Sequence, residues 1–410
     1  MPNRPPLLGA DLPGQRIPPR TLAGATILLI VASLRDEPAA RAAVEVAASV
    51  LQSGARALIA GQGGPLVGKL QTAGGEWIPL VNDTMNPLKL RRNAKIVERL
   101  CSAERVDIIH AYSAGAAWSA LAATAHMPIW LVTSLGDAPT APNRLRAFYA
   151  SALTRGDRVI APSSYVAGRM IGRYDIPRER IAVIPHSIDT RFFDPAAVDM
   201  RRLAAFRMAS RIHRGERVIL LPGRLAPANG QHVLVNAAGI LADRGLRNTV
   251  FVMAGDDQSH RKYARAVIAK INKLGLEPIF RLTALFHDMP AAFAAAHAVV
   301  LPSLESPVLG RVMAEAQAMA RPVITTHVGI LPEHVLAPPR MPDELRTGWV
   351  VRPGHPAELA SALAAALLLD NTAYQTLAAR ARQFAQFMFS PESVVAATRA
   401  VYTSLLARDH

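Results

Sequence analysis

Short apolar runs alternate with amphipathic ones along almost the whole chain, and the alternation begins twice. The first series opens with ATILLIVASL, followed by the helix-like PAARAAVEVAASVLQ from Pro38 to Gln52 with proline at its start. It continues through ARALIAG, VDIIHA (Val106 to Ala111), MPIWLVT (Met127 to Thr133) and RVIA (Arg158 to Ala161). The second restarts at Val218 with VILLPGRL, then QHVLVNAAGILAD, VFVMAG, KYARAVIAKINKLG and IFRLTA. Near-continuous apolar strands separated by helices predict parallel sheets covered on both faces, so the fold class is α/β, doubly wound, in two domains. The expected boundaries are a Pro-rich tail at 1–23, a first domain at 24–200, a basic linker at 201–216 and a second domain at 217–388. A C-terminal helix at 389–410 has apolar residues at helical spacing. Two such domains facing each other leave a cleft at the carboxyl ends of their strands, the expected place for a ligand.

Composition narrows the function classes. Half of the 410 residues are hydrophobic and 5% are aromatic, which suits helices packed on parallel strands. The single cysteine, Cys101, excludes a disulfide framework, and no Cys/His cluster has metal-ligand spacing, so neither metal nor cofactor is expected. The opening MPNRPPLLGADLPGQRIPPR has no apolar centre, and Ala25 to Ala32 is strand length, so a cytoplasmic protein is expected. A net charge of +15 suits an anionic substrate or an anionic membrane face. Nucleic acid is not expected, because the arginines are dispersed and lack interleaved aromatics. The densest basic run, Lys89 to Arg99, reads either as a solvated helix face or as a peripheral contact with the inner face of the cytoplasmic membrane.

The segment Leu301 to Ile324, LPSLESPVLGRVMAEAQAMARPVI, carries the chemistry. A strand over Ala298 to Pro302 enters a loop that opens at Gly310 onto Val312, Met313, Ala316 and Ala320, at helical spacing, with Glu315 expected in the first turn. Unpaired N–H groups and partial positive charge at a helix start suit a diphosphate, and an ionised Glu nearby can accept two hydrogen bonds from a ribose.

This segment resembles the donor-binding stretch of the family-4 retaining glycosyltransferases, in which two Glu residues stand with seven residues between them. Glu315 fits the second, the first position is Pro307, and the nearest carboxylate is Glu305. The resemblance runs from about Thr26 to Leu406. It rests also on Arg158 to Pro195, with its Ser187-to-Asp189 turn, and on LPGRL, AGDDQ, DMPAAFAAAH and GWVVRPG, which have counterparts in bacterial members that build surface polysaccharides. It implies two Rossmann-like domains facing a cleft (GT-B), with the last helix returning to brace the first domain.

The resemblance further implies a catalytic role for Arg224, against the donor diphosphate, and for Glu305. Gly223, Asn229, Gly310, Arg311 and Glu315 form the donor-binding set, with Asn229 where the family has a second cation, a Lys. On the acceptor side stand His110, Leu135, His327 and Glu333. His110 is alternatively a structural strand histidine, Leu135 replaces a family His, and His327 is a displaced substitute or a surface residue. Leu34-Arg35-Asp36-Glu37-Pro38 replaces a Gly-rich loop and is read as not touching phosphate, His186 stands where an Arg is expected, and Asp256 with Asp257 makes a weak metal site.

The implied function is transfer of a sugar from a nucleotide-sugar donor, with retention, to a glycan or lipid-linked acceptor in bacterial envelope polysaccharide synthesis. The alternative, motivated by the changes at Pro307, Asn229, Leu135 and Asp36-Glu37, is a non-catalytic binding or scaffold protein partnering an active enzyme of the pathway. A hydrolase or epimerase would need an acid and base pair that the sequence does not place.

Overall fold

The computed structural model describes residues 21–82, 84–136, 144–255, 260–283, 287–306 and 310–408. Residues 1–20 of the N-terminal tail, Pro307, Asp256 and Asp257 lie outside the described residues, whereas Leu22, expected in that tail, is buried in the core of the first unit. The chain divides into two compact units, one running to Ser187 and regaining the chain from Pro391, the other spanning Ile188 to Ser390.

Among the described residues, the first unit carries seven parallel strands, ordered β3-β2-β1-β4-β5-β6-β7. They are β1 (Thr26–Ser33), β2 (Arg56–Gln62), β3 (Glu76–Pro79), β4 (Ile108–Ala111), β5 (Trp130–Ser134), β6 (Arg158–Ala161) and β7 (Ile181–Val183). The side chains of β1 alternate between the sheet faces as strand geometry requires. Ile27, Leu29 and Val31 join the core of the Pro38–Gln52 helix, while Leu28 and Ile30 join the core on the other face. The C-terminal helix Pro391–Leu406 buries Val394, Tyr402 and Leu405 in the same core as Ala43 and Val44.

The second unit carries six parallel strands among the described residues, ordered β10-β9-β8-β11-β12-β13. They are β8 (Arg217–Pro222), β9 (Thr249–Ala254), β10 (Phe280–Thr283), β11 (Ala298–Leu301), β12 (Val323–Thr326) and β13 (Gly348–Val351). Ile219 and Leu221 face one layer of helices and Val218 and Leu220 the other. In each sheet the strand order reverses once, at β1/β4 and at β8/β11. Loops leaving the carboxyl ends of neighbouring strands diverge at such a point and open a crevice.

Residues 201–216, expected as a linker, instead contribute the helix Met200–Ala209 to the second unit. Asp199 caps it through a 2.8 Å bond from the Arg202 N–H, Arg202 pairs with Asp288 at 2.7 Å, and Phe206 is buried in the core with Phe293. One buried aromatic holds a helix whose other apolar residues, Met200 and Met208 among them, stand largely exposed, which is why no buried stripe shows in sequence.

Candidate functional site

The most constructed loops of the second unit lie at its switch point. Leaving β8, the chain turns at Gly223 with φ +121°, and its N–H donates to the Ala254 carbonyl at 2.8 Å. A Cβ on Gly255 would come within 1.9 Å of the Gly223 carbonyl oxygen, so the ends of β8 and β9 meet backbone to backbone. Arg224 follows, exposed to solvent, with its carbonyl accepting from Asn229 Nδ2 at 2.8 Å and Gln231 Nε2 at 2.9 Å. Asn229 is therefore a brace for the Arg224 backbone. At Gly230, with φ +70°, any Cβ would lie 1.9 Å from the Pro302 carbonyl oxygen, and the Leu304 N–H donates to the Ala228 carbonyl at 2.8 Å. The loops after β8 and β11 are stitched together without a side-chain intermediary.

Beyond β11, Ser303 is buried and Glu305 is exposed. The chain re-enters helix at Arg311–Ala318 with Gly310 as its first flanking residue, and among the described residues no side chain caps this terminus. Glu315 does not fall in the first turn: it sits a turn further in, where it faces Arg311 at 3.6 Å across an i,i+4 pair. Gly310 presses on the imidazole of His334, since a Cβ there would lie 2.6 Å from two ring atoms. Between the loops is a cavity of about 140 Å³ lined by Gly223, Asn229, Ser303, Gly310, Val312 and Met313. Small-molecule sites usually enclose roughly 300–1,000 Å³, so this space, walled also by Leu221, Leu301 and Leu331, has room for only part of a larger ligand.

Of the residues expected to bind donor, Gly223, Asn229 and Gly310 thus share one cavity. Arg311 and Glu315 pair on the helix that opens beside it. His327 is exposed, with its N–H on the Val351 carbonyl, and Glu333 is half-buried in the turn Leu331–His334. Gly329, at φ +58°, has no room for a Cβ, which would fall 1.9 Å from Ser306 Oγ, so the β12 loop closes against the β11 loop.

The first-unit residues are of another kind. His110 is 1% exposed, its Nδ1 lies 2.5 Å from the Tyr402 hydroxyl and its Nε2 2.7 Å from Ser134 Oγ, and its ring stacks on Tyr112. Burial lowers its ionisation to about 3, so the ring is neutral. Leu135 is also buried, with its N–H on the Ile160 carbonyl. Both belong to the interior of the unit, tying strand ends and the C-terminal helix together. Asp36 pairs with Arg41 at 2.7 Å and Glu37 precedes the Pro38–Gln52 helix, while Ser187 donates to Glu45 at 3.1 Å and His186 is half-buried. Among the described residues no group of three or more His, Cys, Asp or Glu could hold a metal ion.

Sequence reasoning missed His334, Gln231 and Gln317. The two glutamines are fully buried and hydrogen-bonded to backbone carbonyls of the site loops. Nothing in their spacing separates them from surface residues of the same type.

Residues 216–368 match the family described as Glycosyl transferases group 1, and residues 40–192 match Glycosyltransferase Family 4. The D-inositol 3-phosphate glycosyltransferase of Salinispora arenicola is 30% identical over 263 residues, covering 62% of this chain and 56% of that protein. The same-named protein of Frankia alni is 30% identical over 202 residues, covering 48% of each. The chain thus spans about half the length of the curated relatives it matches. Among solved structures, a glycosyltransferase from Rickettsia africae superposes with a TM-score of 0.77 at 25% identity, over 94% of this chain and 100% of that one. Anabaena Alr3699/HepE, solved with UDP, gives 0.70 at 21%, over 93% and 100%. A match to Glycosyltransferase Family 4 is thus followed by a match to Glycosyl transferases group 1, on two Rossmann-like sheets that have the GT-B fold.

Proposed function

We propose that this chain is a glycosyltransferase of hexosyl type that takes its sugar from a nucleotide-sugar donor, without a metal and with retention of configuration. The observation that carries this reading is the start of the Arg311–Ala318 helix, which no side chain caps among the described residues and which opens beside a cavity floored by Gly223 and Gly310 inside a matched glycosyltransferase domain. Backbone N–H groups there receive the donor diphosphate, and Arg224, exposed at the end of the neighbouring loop, adds a cation that stabilises charge on the departing nucleotide. Glu315, its charge balanced by Arg311, binds the ribose, and Glu305 approaches the donor sugar. The Anabaena protein of the same fold holds UDP in its structure, which supports a nucleoside diphosphate as the ligand.

For the acceptor, a glycan or lipid-linked sugar of envelope polysaccharide synthesis is the class proposed from the sequence. The relatives named for D-inositol 3-phosphate make a phosphorylated polyol the competing class. Calorimetric titration with UDP, GDP and ADP, on the wild type and on Arg224→Ala and Glu315→Ala, tests the donor site. Tight binding of one nucleotide, weakened about tenfold or more by each substitution, is expected. If no nucleotide binds the wild type, the proposal fails and a scaffold role takes its place.

The first unit offers a surface for a peripheral, cytoplasmic-face membrane location. Val81, Met85 and Leu88, at the entry to the helix Pro87–Glu104, and Leu145 and Phe148, on the helix Arg144–Ala150, are all exposed. The Tyr149 hydroxyl donates to the Thr84 carbonyl at 2.8 Å, which makes the two groups neighbours. Lys89, Arg91, Arg92 and Lys95 stand exposed on the first of these helices. Among the described residues no helix is long and apolar enough to cross a membrane, so contact would be made by apolar side chains under a cationic rim. Replacing those four cations with Gln should release the protein from phosphatidylserine vesicles at low salt; unchanged sedimentation with vesicles would sink the idea.

A further inference from the structure

His334 holds a position in the second unit that its sequence context gives no reason to single out. Its side chain is 8% exposed. One face lies parallel to the Phe389 ring, with centroids 4.9 Å apart and an interplanar angle of 5°. The ring edge carrying Cε1 and Nε2 meets Gly310, where a Cβ would be 2.6 Å from both atoms. Nδ1 lies 3.1 Å from the Ile330 carbonyl oxygen, which can only accept, so the proton sits on Nδ1. The His334 carbonyl in turn accepts from Gln317 Nε2 at 2.7 Å, and Gln317 lies on the Arg311–Ala318 helix, fully buried. One residue therefore touches this helix at its first flanking residue through the ring and further along it through the backbone.

Phe389 is itself fixed. It is 2% exposed, meets Phe384 edge-on at 5.8 Å, and its carbonyl accepts the Ile188 N–H at 2.8 Å. Burial keeps the His334 ring neutral against the opposing pull of the Ile330 carbonyl and Glu333. A neutral ring suits the place, because a cation against a helix N-terminus would oppose the helix dipole.

We propose that His334, backed by Phe389, is a positioning residue: it sets where the first turn of the Arg311–Ala318 helix stands, and through it the end of the site that receives the donor phosphates. The second clause rests on the proposed donor site; the first stands on the packing alone. The ring works as a spacer plate. Gly310 can lie flush on it because it has no Cβ, and the helix start cannot settle deeper while the plate is there.

The test uses the full chain and the variants His334→Ala, which removes the plate, and His334→Phe, which keeps the plate but loses the Nδ1 donor. Phe389→Leu serves as a second route to the same loss, should the alanine variant fail to fold. Hydrogen exchange of the amides at 311–314 is read well below the melting temperature, alongside UDP, GDP and ADP titrations. His334→Ala should raise exchange at 311–314 about tenfold, leave the helix Gln231–Asp243 unchanged, and weaken nucleotide binding about tenfold. His334→Phe should restore both to within about threefold of wild type, and Phe389→Leu should move both in the same direction as the alanine variant. If His334→Ala lowers only the melting temperature, with exchange at 311–314 and nucleotide affinity within about twofold of wild type, the proposal is overturned. If exchange responds but the wild type binds no nucleotide, the positioning of the helix stands and the donor reading falls.

Discussion

The two sheets of this protein reverse strand order in the same way, and glycines pressed by backbone stand at both switch points, as with Gly64 against Leu34 in the first, but the charges beside them differ. At β8/β11 Gly223 meets Gly255 and Gly230 meets Pro302 backbone to backbone, and Gly310 meets the His334 ring. At β1/β4 the corresponding loop is Leu34-Arg35-Asp36-Glu37, with Asp36 paired to Arg41, and the strand-end histidine of β4 is sealed inside by Tyr402 and Ser134. A parallel sheet supplies the crevice, but what can bind there depends on whether backbone N–H groups are left uncovered and which charges stand beside them. Among the described residues both switch points present a helix start without a side-chain cap, but the second has Arg224 on the neighbouring loop, whereas the first has Glu37 and an Asp36 already paired with Arg41.

The largest expected effect comes from closing the gap at Gly310. Gly310→Ala places a methyl 2.6 Å from the His334 ring, so the helix start or the ring must move. It should cost about 1–3 kcal/mol of stability and weaken nucleotide binding about a hundredfold, read by denaturant unfolding and calorimetry. A variant with wild-type affinity would show that the helix start is not where phosphate binds.

A second substitution sharpens the contrast by adding charge. Asn229 lines the cavity and its Nδ2 donates to the Arg224 carbonyl, a bond that a lysine ammonium can also make. Asn229→Lys should therefore keep the loop and tighten nucleoside diphosphate binding about tenfold, with steeper salt dependence. Weaker binding would mean that the brace matters more than the charge.

How much of this could be read in the sequence follows the same division. The alternation of apolar and amphipathic runs made both sheets legible, because strands buried on two faces leave a composition that helices do not share. Gly310 was marked by the spacing of the run that follows it, whereas Gly223 and Asn229 were singled out only by the family resemblance. The edge strand β3 went unread, as it is four residues long and mostly half-exposed or exposed. The helix Met200–Ala209 was taken for a linker because one buried phenylalanine leaves no period. Glu315 was placed a turn too early because a helix boundary seen only as spacing is soft by a residue or two, and the Arg311 partner that gives its position meaning is a tertiary fact. His334 had no signal at all, since its role comes from Gly310 and Phe389, which are distant in sequence.

The first unit responds to acid through its buried histidine. Ionisation of His110 falls from its ordinary 6.5 to about 3 because of burial, so the unfolded chain binds this proton more readily than the folded one. Its contribution to stability is complete above 6.5 and is lost as pH falls toward 3. His110→Gln should flatten the dependence of the urea midpoint on pH across that window, and parallel curves for variant and wild type would rule this out.

The smallest effect is the most diagnostic of the comparison. If the β1 loop plays no part in donor binding, Asp36→Asn together with Glu37→Gln should leave nucleotide affinity within about twofold, a change expected only from weaker long-range repulsion.

The most direct measurement is hydrogen exchange across the whole chain with and without saturating nucleotide. Protection concentrated at 223–224 and 310–314, with 34–38 unaffected, is the result that places the diphosphate on the second switch point. Protection at 34–38, or nucleotide binding that leaves 310–314 unchanged, would contradict it.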